Sequence, residues 1–266
     1  GLAQPRWGEV TERVEREGVD VVFVVDSSLS MSANDLPPSR MFVAQALVRA
    51  LVQQLPGHRV ALVQAEGEGV VMAPLTIDSG VIDLLLDTVA PGTLPTPGTG
   101  LAHALDLAID LFPQESDKHR VMLLLSDGED HEGGLEESAR KLRESGVVVH
   151  TLGVGTRQGS PLPLPGGSEN ELKRDREGRV VVSKLEDEGL LELARATGGT
   201  YRQIDDAGTD LAPVIAEIDL METRAFEGDV LSTQEDRFQW PLAVAVLALA
   251  LFLGIAPVPT SREPTA

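Results

Sequence analysis

Asp26, Ser28 and Ser30 stand at alternate positions just where an apolar run stops, and Asp127 stands at the end of a second such run. Carboxylates and short hydroxyl side chains offer hard oxygen donors with little rotamer freedom. That donor set suits Mg2+ or Mn2+, which prefer oxygen ligands in octahedral geometry and keep part of their water. Three further hydroxyls, Thr93, Thr96 and Thr99, lie between the two runs in a segment (91–100) with three Pro and three Gly in ten residues. Such punctuation makes the segment a loop. Thr99 closes it, following Gly98 and abutting the next apolar helix pattern, and is the preferred member of the three.

The elements that must bring these residues together are legible. Residues 21–25 are five branched or aromatic apolar residues in a row, the pattern of a strand buried on both faces of a parallel sheet. Residues 121–125 repeat it, 59–65 and 147–154 read as further strands, and Glu66-Gly67-Glu68-Gly69 turns the 59–65 strand into a short strand at 70–73, a hairpin. Between them lie helical patterns over 40–52, 79–89, 101–111 and 135–144, the first capped by Ser39 and the second by Ser79. Strands alternating with helices of this length predict an α/β, Rossmann-like, doubly wound and mostly parallel sheet with helices on both faces. In such sheets ligands bind beyond the carboxyl ends of the strands, so Asp26 and Asp127, a hundred positions apart, are expected at one edge. The alternation breaks over 156–184, a Pro/Gly-rich stretch followed by a hairpin turning at Asp175–Gly178. A helix at 187–197, an edge strand at 201–204 and a helix at 211–220 complete the domain, expected over 19–220 after a polar lead-in at 1–18.

Composition narrows the partners. With 42 acidic and 22 basic side chains the net charge is −20, which argues against nucleic acid and against anionic lipid headgroups. No cysteine is present, so thiolate chemistry is excluded. The first residue is Gly1, with no initiator Met, and the start is expected to have been trimmed or a preceding segment removed.

Other chemistries fit less well. Gly153, Gly155 and Gly159 follow a strand but miss the dinucleotide spacing and run into prolines. No Gly-x-x-x-x-Gly-Lys loop exists. A phosphatase-like nucleophile at Asp26 would want a second acid two residues later, where Ser28 stands. His58, His103, His119, His131 and His150 show no paired ligand spacing, and Ser28 has no His placed to activate it. A metal-dependent hydrolase or phosphotransferase using Asp26 and Asp127, and a structural scaffold with an unused site, are the alternative readings.

Asp26-x-Ser28-x-Ser30, Thr99 and Asp127-Gly128, in that order on those elements, resemble the metal-ion-dependent adhesion site of von Willebrand factor type A domains. The segments DLPPSR (35–40), PLTID (74–78), SDGEDHEG (126–133) and TGGTY (197–201) are similar to the Bat-type (BatA and BatB) aerotolerance membrane proteins of bacteria. The resemblance implies that Ser28, Ser30 and Thr99 ligate a Mg2+ or Mn2+ ion, with Asp26 and Asp127 acting largely through water. It implies one coordination position left for an acidic side chain of a protein partner, and no catalysis. It also implies a place in a bacterial envelope complex with other Bat-type proteins and a MoxR-type AAA+ ATPase.

The end of the chain points to a membrane. No charge occurs over 238–261, and 240–258 is 19 residues long. At the helical rise that is about 28 Å, close to a bilayer core. A linker at 221–239, a transmembrane helix at 240–258 and a short tail at 259–266 are therefore expected. The flanking charges, Arg237 on one side and Arg262 on the other, do not fix its orientation; the resemblance to the Bat-type proteins implies a bacterial inner membrane with the domain on the periplasmic side.

Overall fold

The apolar run 21–25 has no polar face to offer water, and in the computed structural model it lies inside a six-stranded sheet. The structure describes residues 6–9, 18–96, 98, 100–113, 118–130, 133–164, 171–205, 210–228 and 234–236. The chain divides into two units, 16–228 and a second made of 1–15 with 229–266. In the second, β1 (Arg6–Glu9) pairs antiparallel with a closing strand, Gln234–Asp236, where the sequence pattern predicted only a lead-in and a linker.

The larger unit runs β2 (Asp20–Asp26), a 3-10 turn (Leu29–Ser32), α1 (Arg40–Gln53), β3 (Arg59–Ala65), β4 (Gly69–Thr76), α2 (Ser79–Leu86), α3 (Leu101–Ile109) and β5 (Arg120–Ser126). It continues with α4 (Leu135–Glu144), β6 (Val147–Val154), β7 (Ser160–Pro161), β8 (Val182–Ser183), α5 (Asp187–Thr197), β9 (Tyr201–Ile204) and α6 (Ala212–Gly228). The sheet order is β4-β3-β2-β5-β6-β9. All neighbours are parallel except β3 and β4, which form the predicted hairpin. Alternation along β2 divides the core: Val21, Phe23 and Val25 pack with α1, α2 and α6, and Val22 and Val24 with α3, α4 and α5. This is the doubly wound α/β arrangement the alternation predicted.

Three details differ from the sequence reading. Ser39 caps α1 as expected, accepting from Phe42 N, but α2 is capped by Asp78, whose carboxylate accepts from Gly80 N and Val81 N. A charged Asp at a helix start meets the positive end of the dipole, and it outcompetes the Ser that follows it. Helix α6 runs to Gly228, eight residues past Leu220, because nothing from Met221 to Glu227 breaks it. The largest correction concerns the membrane. Among the described residues no helix is long and apolar enough to cross a bilayer. The longest, α6, carries Glu217, Asp219, Glu222, Arg224 and Glu227. The expected transmembrane helix at 240–258 lies outside the described residues, and the fold class they carry is corrected to the α/β sheet with its helices.

One buried contact seats α6. His150 of β6 is 1% exposed, and its Nδ1 lies 3.0 Å from Thr200 Oγ1 and 3.2 Å from Glu217 Oε2 of α6. Its Nε2 is buried with no partner. Burial pushes the imidazole pKa below its ordinary value of 6.5, and the Glu217 carboxylate opposes that only in part. The unfolded chain therefore takes up this proton first as pH falls. The stability that neutral His150 contributes is complete above about pH 6.5 and is lost below it, at no more than about 1.4 kcal/mol per pH unit. Urea unfolding at pH 7.5 and 5.5 should show the wild type losing more stability on acidification than His150→Asn. Equal losses would remove His150 from the linkage.

Candidate metal centre

Parallel register sets the site. Val25 pairs with Leu125, so Asp26 and Ser126 are the next residues along their strands, side by side at the carboxyl edge. Ser126 Oγ donates to Asp26 Oδ2 at 2.6 Å, and Ser28 N donates to Asp26 Oδ1 at 2.8 Å. Both oxygens of this wholly buried carboxylate therefore hold the two strand-end loops. The 3-10 turn after Ser28 curls the chain so that Ser28 Oγ and Ser30 Oγ lie 2.8 Å apart, on residues 3% and 5% exposed. Asp127 is also wholly buried. Its Oδ2 accepts from Arg40 Nη1 at 2.7 Å and its Oδ1 from Glu129 N at 3.2 Å.

Gly128, between them, adopts φ +78°, and a Cβ there would stand 1.9 Å from the carbonyl oxygen of Glu186. That close approach lets Glu186 N reach the Asp127 carbonyl at 2.8 Å. Gly128→Ala combines a left-handed backbone with a backbone clash and is expected to cost roughly 2 to 4 kcal/mol. Urea unfolding measures this, and a loss under about 1 kcal/mol would mean that the turn relaxes freely.

Electrostatics makes the edge unusual. Burial drives the Asp26 pKa above the ordinary carboxylate range, against the hydrogen bonds from Ser126 and Ser28. Asp127 is driven up by burial first and by the negative charge of Asp26 second, with Arg40 opposing. Arg40 is the one buried Arg or Lys among the described residues, and it already serves Asp35 through a two-pronged contact at 2.8 and 3.0 Å. Among the described residues the edge thus holds more buried carboxyl groups than its one buried guanidinium contacts, since Asp26 has no cationic partner there. Among the described residues no three His, Cys, Asp or Glu side chains cluster so as to hold a metal ion by themselves. A cation here would have to draw on hydroxyl oxygen as well as carboxylate, and Ser28 and Ser30 supply it. The donor set therefore fits a hard divalent ion.

Of the five residues singled out in the sequence, Asp26, Ser28, Ser30 and Asp127 come together at this edge. Thr99 lies outside the described residues, although its neighbour Gly100 is tied there by a 2.6 Å bond from its N–H to the Glu66 carbonyl. Two participants escaped the sequence reading. Arg40 was legible only as the first residue after a helix cap. Glu66 was read as part of a hairpin turn, yet it is 1% exposed. Its Oε2 accepts from Leu94 N at 3.0 Å, which braces the 91–100 loop. Its Oε1 is buried without a partner, as is Thr96 Oγ1. Burial raises the Glu66 pKa, and the Leu94 and Ser27 hydrogen bonds oppose the rise.

Known proteins share this architecture. A family model described as von Willebrand factor type A domain matches residues 21–129. A UPF0353 protein of Nocardia farcinica is 30% identical over 209 residues, which is 71% of this chain and 59% of that protein. The chain thus spans somewhat over half of that curated relative. The crystal structure of BatB from Bacteroides thetaiotaomicron superposes with a TM-score of 0.73 at 33% identity, covering 77% of this chain and all of that one. An aerotolerance-related membrane protein from Bacteroides fragilis superposes at 0.70 and 31%, covering 78% of this chain and all of that one.

Proposed function

The chain belongs to the von Willebrand factor type A domain family, and from that premise we propose that its strand-end edge is a divalent-cation site used to dock an acidic residue of a protein partner. One observation carries the reading. Two wholly buried carboxylates, Asp26 and Asp127, share an edge with a touching pair of hydroxyls, and the single buried guanidinium there is already committed to Asp35 as well. Asp26, Ser28, Ser30, Thr99 and Asp127 would hold Mg2+ or Mn2+. When bound, such an ion supplies a coordination position for an incoming Asp or Glu carboxylate, because neutral hydroxyl ligands leave its charge only partly offset.

The chain's own residues do the positioning. Asp26 fixes the Ser28 backbone and the β5 end together, and the 3-10 turn brings the Ser28 and Ser30 hydroxyl oxygens within 2.8 Å of each other. Asp26 is wholly buried with both oxygens engaged, which suits a fixed anchor better than a nucleophile, so the role is binding and not catalysis. The chain's partners would be other Bat-type proteins and a MoxR-type AAA+ ATPase in a bacterial envelope, as the resemblance to the Bat-type proteins implies. The Bacteroides fragilis neighbour, described as a membrane protein, agrees with that setting.

Calorimetric titration of the full chain with Mg2+ or Mn2+ tests the site. Ser28→Ala should weaken binding by at least about tenfold. A Glu-bearing peptide should bind only with the cation present, and its Gln counterpart should not. Absence of cation binding, or binding indifferent to Ser28→Ala, would overturn the proposal.

A further inference from the structure

The insert 156–184 is fastened at both stems to the charges beside the site. At its entry Thr156 donates its backbone N–H (2.8 Å) and its hydroxyl (2.9 Å) to Asp35 Oδ2. At its exit the Ser183 hydroxyl accepts from Arg40 Nη1 at 2.6 Å, and its carbonyl accepts from Nη2 at 3.2 Å. The next residues continue the contact: Lys184 N donates to Glu129 Oε1 at 3.1 Å, and Glu186 N to the Asp127 carbonyl. Asp35 and Arg40 are themselves joined by two hydrogen bonds, and Arg40 Nη1 goes on to Asp127 Oδ2. Room for the guanidinium is made by Gly155, where a Cβ would stand 2.8 Å from Arg40 Nε. A continuous path of direct contacts therefore runs from the insert through Asp35 and Arg40 to a carboxylate of the site.

We propose that Arg40 is the positioning residue of the cation site and that the insert, by holding Arg40, sets the site's affinity for the cation. This rests on the reading of the edge as a cation site. A planar guanidinium fixes the angle and place of its carboxylate partners only if it is itself fixed. Here two of its anchors are on the insert. Groups that orient a metal's ligands from outside typically govern about 10- to 100-fold in affinity. Because coupling is reciprocal, the cation must in turn hold the insert stems. Insert and docking edge then respond to one another, and a partner that grips the insert changes cation occupancy.

Mn2+ titration of the full chain, by calorimetry and by the electron paramagnetic resonance signal of bound Mn2+, tests this. Ser183→Ala should raise Kd about tenfold. Thr156→Val, nearly isosteric, should also raise it, and Thr156→Ser, which keeps the hydroxyl, should restore it. Mg2+ should slow amide exchange at Thr156, Leu185 and Glu186 in the wild type. Urea unfolding in EDTA, run beside these, reads the purely structural cost. If Thr156→Val and Ser183→Ala lower the unfolding midpoint but leave the Mn2+ Kd and the exchange response unchanged, the relay is wrong and the site stands. If the wild type binds no Mn2+, both fall. Should Ser183→Ala not fold, the Thr156 pair decides.

Discussion

Asp26→Asn should abolish divalent-cation binding and yet leave the cation-free chain as stable as the wild type, or more so. The two halves have separate causes. Removing a unit charge about 4 Å from a divalent ion forfeits several kcal/mol even at an effective dielectric constant of 20, enough for at least a 100-fold loss of affinity. The amide keeps the carboxylate's shape, with an oxygen for Ser28 N and a terminal group within reach of Ser126 Oγ, whose hydroxyl can rotate to accept. It also removes the burial penalty that raises the Asp26 pKa, and the negative charge that, after burial, raises the Asp127 pKa. The sign follows from linkage. A carboxyl whose pKa is higher in the folded chain than in the unfolded one destabilises the fold once pH rises above its unfolded value, so neutralising it relieves the fold at pH 7. Asp26→Ala, by contrast, leaves Ser28 N and Ser126 Oγ without an acceptor and should cost about 1 to 3 kcal/mol besides the lost binding. Calorimetry and urea unfolding in EDTA give the two readouts. An Asn variant that binds cation like the wild type, or that is markedly less stable without it, would make Asp26 a structural carboxylate only.

Much of this edge was legible from residue types alone, because its strands are strongly patterned. The runs 21–25 and 121–125 carry no polar face, so burial on both sides and a parallel sheet follow, and parallel strands bring their carboxyl ends to one edge. Asp26, Ser28, Ser30 and Asp127 needed nothing more. Arg40 and Glu66 needed much more. A helical pattern marks Met41, Leu47 and Val48 as inward-facing, but it cannot show that the charged residue at the helix start turns inward too. That depends on Asp35, Asp127 and Ser183 arriving from three other segments, up to 143 residues away. Glu66 sits in a Glu-Gly-Glu-Gly turn whose local chemistry is sufficient for a hairpin, so its burial against the 91–100 loop left no local trace. The apolar stretch 240–258 satisfied a length and hydropathy rule, but it lies outside the described residues, among which no helix is long and apolar enough to cross a bilayer.

Arg40→Met should destabilise the cation-free chain by roughly 3 to 5 kcal/mol, a large fraction of the about 5 to 15 kcal/mol that holds a domain folded. Methionine fills most of the aliphatic stem's volume, so packing is nearly conserved and the cost is electrostatic. Asp35 loses both of its charged contacts, Asp127 loses its Oδ2 donor, and the Ser183 hydroxyl and carbonyl lose theirs, all in surroundings where Arg40 and Asp127 are wholly buried and Asp35 is 5% exposed. Most of that penalty is the uncompensated charge left behind, not the net worth of the ion pair, and this gives the prediction a second half. In the double variant Arg40→Met with Asp127→Asn, one of the two orphaned carboxylates is gone, and part of the loss should be recovered. The two substitutions should therefore be non-additive by about 1 to 3 kcal/mol. Urea unfolding of the four chains in EDTA closes the cycle. A single-variant loss under about 1 kcal/mol, or strict additivity, would show that water reaches the Arg40 position and screens it. The buried guanidinium would then not be what lets this edge keep its carboxylates together.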